Sequence, residues 1–157
     1  MSQENVEIVR RYNAAHEGEN LVPLIRAIIE ELDPDRQPDA VLAAFAGDPS
    51  LQYLHPEIEW DSTASGPLGS HTRGPLELTA WWADLADVWE SYVYRILGYR
   101  DLEDWVLTPT ELHALGRDGI SVEQVSFQMW QVRDGKIAVN RLCLSEAEAL
   151  KAVGQEG

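Results

Sequence analysis

Cysteine occurs once in the chain, at Cys143, so no disulfide can close within it, and a small buried core position is the expected place for this thiol. Basic residues are scarce too: 12 Lys and Arg stand against 27 Asp and Glu, a formal net charge of −15. A surface of that sign repels phosphate, which excludes nucleic acid and anionic membrane surfaces as partners. No apolar run approaches the roughly 20 residues of a membrane span. The opening residues, Met1-Ser2-Gln3-Glu4-Asn5, lack the basic region and apolar run of a signal peptide. The expectation is an acidic, soluble, cytoplasmic protein. Internal repeats and low-complexity segments are missing as well. A glycine-rich phosphate loop, a nucleophile elbow and a Cys–His dyad are also missing, so nucleotide-dependent and acyl-enzyme chemistry have no support.

Apolar and aromatic residues are plentiful. Of 157 residues 45% are hydrophobic, with six Trp and five Tyr, which excludes a disordered chain. The length suits one domain over residues 1–157. Folding at this size buries roughly 68–70% of the unfolded surface, enough for a core without staples.

Spacing divides the chain into helices followed by strands. Ile8, Val9, Tyr12, Ala15 and His16 form one helical stripe ending near Gly18. Leu21, Leu24, Ile25, Ile28, Ile29 and Leu32 form a second, stopped by Asp33-Pro34. Asp39 is placed to cap a short helix over Ala40–Ala46. From Tyr53 to Asp61 the period becomes two. Leu54, Ile58 and Trp60 share one face, with Tyr53, His55, Glu57, Glu59 and Asp61 on the other. Ser62–Gly74 reads as a long loop, and long loops are often functional. Leu78, Trp81, Trp82, Leu85 and Trp89 then make a helix beginning at Pro75. Strands are expected at about Tyr92–Tyr99, Trp105–Leu115, Ile120–Val132 and Lys136–Leu144, with Asp118-Gly119 and Asp134-Gly135 as hairpin turns. Ser145 with Glu148 is a capping box for a closing helix, Glu146–Val153. Helices first, then an antiparallel meander with one inserted helix, mean α+β.

Five local strings, in this order, resemble SnoaL-like proteins of the nuclear-transport-factor-2-like superfamily. They are Asn5-Val6-Glu7-Ile8-Val9-Arg10-Arg11, His55-Pro56-Glu57-Ile58-Glu59-Trp60, Arg73-Gly74, Val132-Arg133-Asp134-Gly135-Lys136-Ile137 and Glu146-Ala147-Glu148-Ala149-Leu150. The resemblance implies a curved antiparallel sheet wrapped around N-terminal helices into a cone with an apolar pocket. It also implies a small hydrophobic ligand, dimerisation through the outer face of the sheet, and no cofactor. The superfamily includes ketosteroid isomerases and polyketide cyclases, so the implied chemistry is acid–base isomerisation, cyclisation, dehydration or hydration. Carriage of a hydrophobic ligand without chemistry is the alternative. The chain departs from the family by an inserted segment at about 25–51 and by a first helix about one residue short.

In isomerase relatives a carboxylate ending the first strand is the general base. Aligning strand ends puts Asp61 there, whereas aligning the apolar pattern on Ile58 puts Trp60 there. Alternation forbids both from facing one pocket along a regular strand. A donor on the long late strand, two residues before an aromatic, matches Gln128 before Trp130; an amide can steady an oxyanion without titrating. Gln124, Ser126, Gln128 and Trp130 share one face, which suits a pocket or a wet dimer interface. Tyr12 matches the helix tyrosine that supports the oxyanion site. His71, in the long loop, is the natural group for moving a proton. Trp60, Trp82 and Trp130 are the expected pocket wall, with His113, Tyr53 and Arg141 as further ligand contacts, Arg141 otherwise pairing with an acid. His16, His55 and His113 lie on different elements without ligand spacing, so no metal is expected. An epoxide hydrolase needs an Arg between two Asp, and the chain offers Leu142, Glu111 and His113, which disfavours that chemistry.

Overall fold

A computed structural model describes residues 2–31, 38–49, 51–66 and 69–154. Three helices open the chain: α1 (Ser2–Ala14), α2 (Leu21–Glu31) and α3 (Pro38–Gly47). The stop expected at Asp33-Pro34 lies outside the described residues. α3 starts two residues before the expected Ala40, and Asp39 sits within its first turn rather than capping it. Proline suits a first turn because its missing N–H has no helical partner there in any case.

The strands are β1 (Leu54–Asp61), β2 (His71–Arg73), β3 (Trp89–Ile96), β4 (Arg100–Asp101), β5 (Val106–Gly116), β6 (Ser121–Arg133) and β7 (Lys136–Cys143). α4 (Gly74–Val88) lies between β2 and β3, and α5 (Glu146–Ala152) closes the chain. They form one curved, unclosed sheet in the order β2-β1-β7-β6-β5-β3, with β4 on β5. β1 runs parallel to β7, while the other pairings are antiparallel. The α+β class holds, with this one parallel pair inside an otherwise antiparallel sheet.

α1 ends at Ala14, short of the expected stop near Gly18, and two boundaries in the sheet also differ from the periodic pattern. His71-Thr72-Arg73, expected in a loop, pairs with the free edge of β1, Trp60 opposite Thr72. Trp89, expected as the last residue of a helical stripe, begins β3 instead, so that strand lies about three residues earlier than the pattern suggested. The Asp134-Gly135 turn and the Ser145 cap are realised. Asp134 and Gly135 both have positive φ, +56° and +75°, as a type I′ turn requires. Ser145 Oγ accepts from the Glu148 N–H at 3.1 Å, and the Glu148 carboxylate accepts in return from Leu144 N at 3.4 Å.

The inner face of the sheet packs on α1, α3 and α4 through Val9, Tyr12, Val41, Phe45, Ile58, Leu78, Val106, Trp130 and Ile137. A second cluster joins α2, α4 and the β3–β5 end through Val22, Ile25, Ala86, Trp89 and Ala114. The outer face is covered in part by α5, whose Ala149 and Leu150 meet Leu107, Met129 and Cys143. Cys143 is buried there and free, in the core role expected for it. Among the described residues no helix is long and apolar enough to cross a membrane.

Leu78 is wholly buried at the centre of the inner cluster. Leu78→Ala is expected to cost about 2–5 kcal/mol through lost transfer energy and a residual cavity. Urea unfolding of the two proteins checks this.

Candidate functional site

Between the helices and the inner face of the sheet lies a cavity of about 420 Å³. Its walls follow from alternation. On β6 the inward residues are Gln124, Ser126, Gln128 and Trp130, and in register with them stand Thr110 and Leu112 of β5 and Asn140 and Leu142 of β7. Tyr12, Asn13 and His16 enter from the end of α1, Leu24, Ile25 and Ile28 from α2, and Trp81, Trp82 and Leu85 from α4. Part of the segment at 25–51 therefore lines the cavity. Its α3 portion packs beside it, Phe45 stacking on Trp82 with centroids 6.0 Å apart.

Polar groups in the lining are largely spoken for by one another. Tyr94 donates its hydroxyl to Asn13 Oδ1 at 2.7 Å, and Asn13 Nδ2 donates to Val9 O at 2.9 Å. Trp130 Nε1 donates to Thr108 Oγ1 at 2.8 Å, so its indole is wall and not donor. Asn140 Nδ2 donates to Gln128 Oε1 at 3.0 Å, which turns the Gln128 amide so that its own N–H groups remain to donate. Burial pushes the hydroxyls of Tyr12 and Tyr94 well up and that of Tyr92 up to about 12, so all three stay protonated at neutral pH. Among the described residues no Asp, Glu, Lys or Arg lines the cavity.

Beside β1 the chain closes a small loop. Ser62 Oγ donates to Ser70 O at 3.1 Å and accepts from Ser70 N at 3.0 Å, while Ser65 Oγ donates to Ser62 O at 2.7 Å. Ser62 and Ser65 both reach the cavity. Glycine is required at 69, since a β-carbon there would lie 2.0 Å from Ser62 O.

The structure divides the residues singled out by sequence. Tyr12, Trp60, Trp82, Gln128 and Trp130 line the cavity together. Asp61, His71, His113, Tyr53 and Arg141 do not. Trp60 faces inward opposite Thr72 and Asn140, so its neighbour Asp61 faces outward, opposite His71 and Arg141. Burial raises the Asp61 pKa, but the Thr63 hydroxyl and amide and the charges of His71 and Arg141 outweigh it, and the net shift is downward. A carboxylate so stabilised is a poor base. His71 Nε2 lies 2.6 Å from Glu59 Oε1, and His113 pairs with Glu111 and Glu123 on the outside of β5 and β6. Hydrogen bonding to Glu111 raises the His113 pKa. Tyr53 packs against the inner core.

Sequence reasoning missed Asn13, His16, Tyr94 and Asn140 as lining residues. His16 is the one histidine of the four, all among the described residues, that reaches the cavity. Asn140 was findable, because it pairs in register with Trp130. Among the described residues no three His, Cys, Asp or Glu side chains gather where they could hold a metal ion.

A curved, unclosed sheet wrapped on N-terminal helices over a cavity defines a protein of the nuclear-transport-factor-2-like fold. Residues 25–140 match the SnoaL-like domain, and the chain belongs to that family. No curated protein matches the chain. Among solved structures, a nuclear-transport-factor-2-like protein from Burkholderia xenovorans LB400 is 16% identical, with 97% of each chain covered and a TM-score of 0.59. TerC, co-crystallised with polyporic acid, is 18% identical over 75% of this chain and 98% of its own, TM-score 0.54. A protein of ketosteroid isomerase-like fold from Catenulispora acidiphila DSM 44928, in complex with trimethylamine, is 15% identical over 75% of this chain and 92% of its own, TM-score 0.54. At these identities the likeness is one of fold.

A lowered Asp61 pKa makes a pH prediction. The ionised form stabilises the fold above the unfolded value of about 3.9, and that contribution fades as pH falls through the lower native pKa. Asp61→Asn is therefore expected to be less stable than wild type at neutral pH, with the gap closing in acid. Urea midpoints across pH, compared between the two proteins, test it.

Proposed function

We propose that the cavity binds a small, neutral, mainly apolar molecule carrying a carbonyl or hydroxyl oxygen, and acts on it without a cofactor by moving a proton. One observation carries this reading: an amide and hydroxyl row on β5, β6 and β7 faces tryptophan walls, with no charged side chain in the described lining. A volume of about 420 Å³ falls within the range of about 300–1,000 Å³ usual for ligand sites. An apolar wall supplies the affinity, and a few placed donors orient the oxygen. Gln128 is the donor best placed for it, because Asn140 already holds its carbonyl end. The protonated phenols of Tyr12 and Tyr92 add further donors. Two proteins of similar fold hold small organic molecules, polyporic acid in TerC and trimethylamine in the Catenulispora protein.

Ligand carriage without chemistry is the second reading, favoured by the absence of Asp and Glu from the described lining. Both readings expect the bicyclic ketone 1-tetralone to quench the cavity tryptophans on titration. Gln128→Leu is expected to weaken that binding by about tenfold, the worth of roughly one hydrogen bond to an uncharged group. Binding that is absent, or indifferent to Gln128, would sink the assignment.

We infer in addition that two copies of the chain pair through the outer sheet face, where Val125 of β6 is 50% exposed and Leu115 of β5 is 37% exposed. Val125→Arg is then expected to shift sedimentation toward the monomer; a wild-type protein that sediments as a monomer contradicts the inference.

A further inference from the structure

The last carbonyls of a helix have no donor from within it. α1 ends at Ala14, and Tyr12 O, in its final turn, receives the Ala15 N–H at 3.4 Å and His16 Nδ1 at 2.8 Å. A carbonyl oxygen only accepts, so Nδ1 carries the hydrogen. A neutral imidazole has one such hydrogen, so Nε2 holds a lone pair. The two ring nitrogens point to opposite sides of the imidazole, so Nε2 faces away from the α1 backbone. It has no hydrogen-bond partner among the described residues. The ring is buried, 7% exposed, and lines the cavity.

The other histidines are arranged differently. His55 Nδ1 accepts the Glu57 N–H at 3.0 Å, which puts the hydrogen of its neutral ring on Nε2, toward Asp134. His71 and His113 are paired with carboxylates off the cavity. No carboxylate of the described lining competes with His16 for a proton.

We propose that His16 Nε2 is the proton acceptor of this cavity and that its substrate is a neutral ketone with an acidic hydrogen on the carbon beside the carbonyl. The proposal deepens the function proposed above and rests on it for the ligand. In the step, the C–H bond breaks and its proton joins Nε2, leaving an imidazolium whose Nδ1–H stays on Tyr12 O. The electron pair of that bond passes to the ketone oxygen as an enolate. The Gln128 amide and the tyrosine hydroxyls are the uncharged donors that can steady it. Return of the proton to the same or another carbon restores His16, with no change of oxidation state. Enolate and imidazolium together are neutral, which suits a lining without fixed charge.

Two measurements test this. Imidazole ¹⁵N shifts of the wild-type protein, assigned by triple-resonance correlation, need neither ligand nor variant. They are expected to show His16 with a protonated Nδ1 and a bare Nε2; a protonated Nε2 in the neutral ring overturns the proposal. Exchange of the α-hydrogens of 1-tetralone in D2O, followed by proton NMR, is expected to run faster with the protein than in buffer. His16→Gln, which retains a side-chain donor for Tyr12 O, should lower the catalysed exchange by about 10²-fold or more while still binding tetralone. Bound tetralone that exchanges no faster than free tetralone, or as fast with the variant as with wild type, overturns the proposal but leaves the cavity as a binding site. Tetralone that fails to bind sinks the function proposed above instead, and the nitrogen shifts still decide the state of His16.

Discussion

Three rings hold the helices to the sheet. Tyr12 of α1 lies 6.4 Å from Trp60 of β1 and 5.9 Å from Trp130 of β6, and the two indoles meet edge to face at 5.8 Å and 89°. Each such contact contributes about 0.5–1.5 kcal/mol beyond the area it buries. Their larger effect is positional. With Tyr12 locked, the end of α1 is set against the inner face, and its next residues, Asn13 and His16, reach the same cavity. Asn13 is then within reach of Tyr94, which draws β3 into the network.

Chemistry inside the cavity follows from alternation along β5, β6 and β7. Each strand sends every second residue inward, and the register aligns Thr110 with Ser126 and Gln128 with Leu142. The result is a polar row on an aromatic floor. Charges fall on the alternate positions and collect outside, where Glu59, His71, Arg73 and Glu111 pair with one another or with neighbours. Surface pairs of this kind add little stability. Their consequence is to leave the described lining free of fixed charge, so any ion formed within it must be balanced by a partner formed at the same time.

Much of this was legible in the residues. The apolar anchor Ile58 pointed to Trp60 as the inward residue, and the stripe from Gln124 to Trp130 was visible in spacing alone. Two residues read as candidate proton carriers, Asp61 and His71, lie off the cavity. Chemical type suggested them, and a strand position one residue from an inward tryptophan turns a carboxylate outward. The pairing of His71 with the edge of β1 depends on contacts between segments separated by the nine residues 62–70, which no local pattern reports. Trp89 is a related case: its spacing fits the helix before it, but its backbone joins the sheet.

Helix, strand, turn and cap signals, the α+β class and the aromatic character of the interior belong to the sequence by itself, because periodicity and turn chemistry act over a few residues. Only the tertiary structure decided the site. Asn140 holds Gln128 across two strands, and α1 stops at Ala14 rather than near Gly18. That early stop frees a carbonyl, the carbonyl takes the Nδ1 hydrogen of His16, and a residue read from spacing as one more member of a helical stripe becomes a lone pair in a cavity. Such an outcome depends on where a helix ends against its neighbours, and packing settles that.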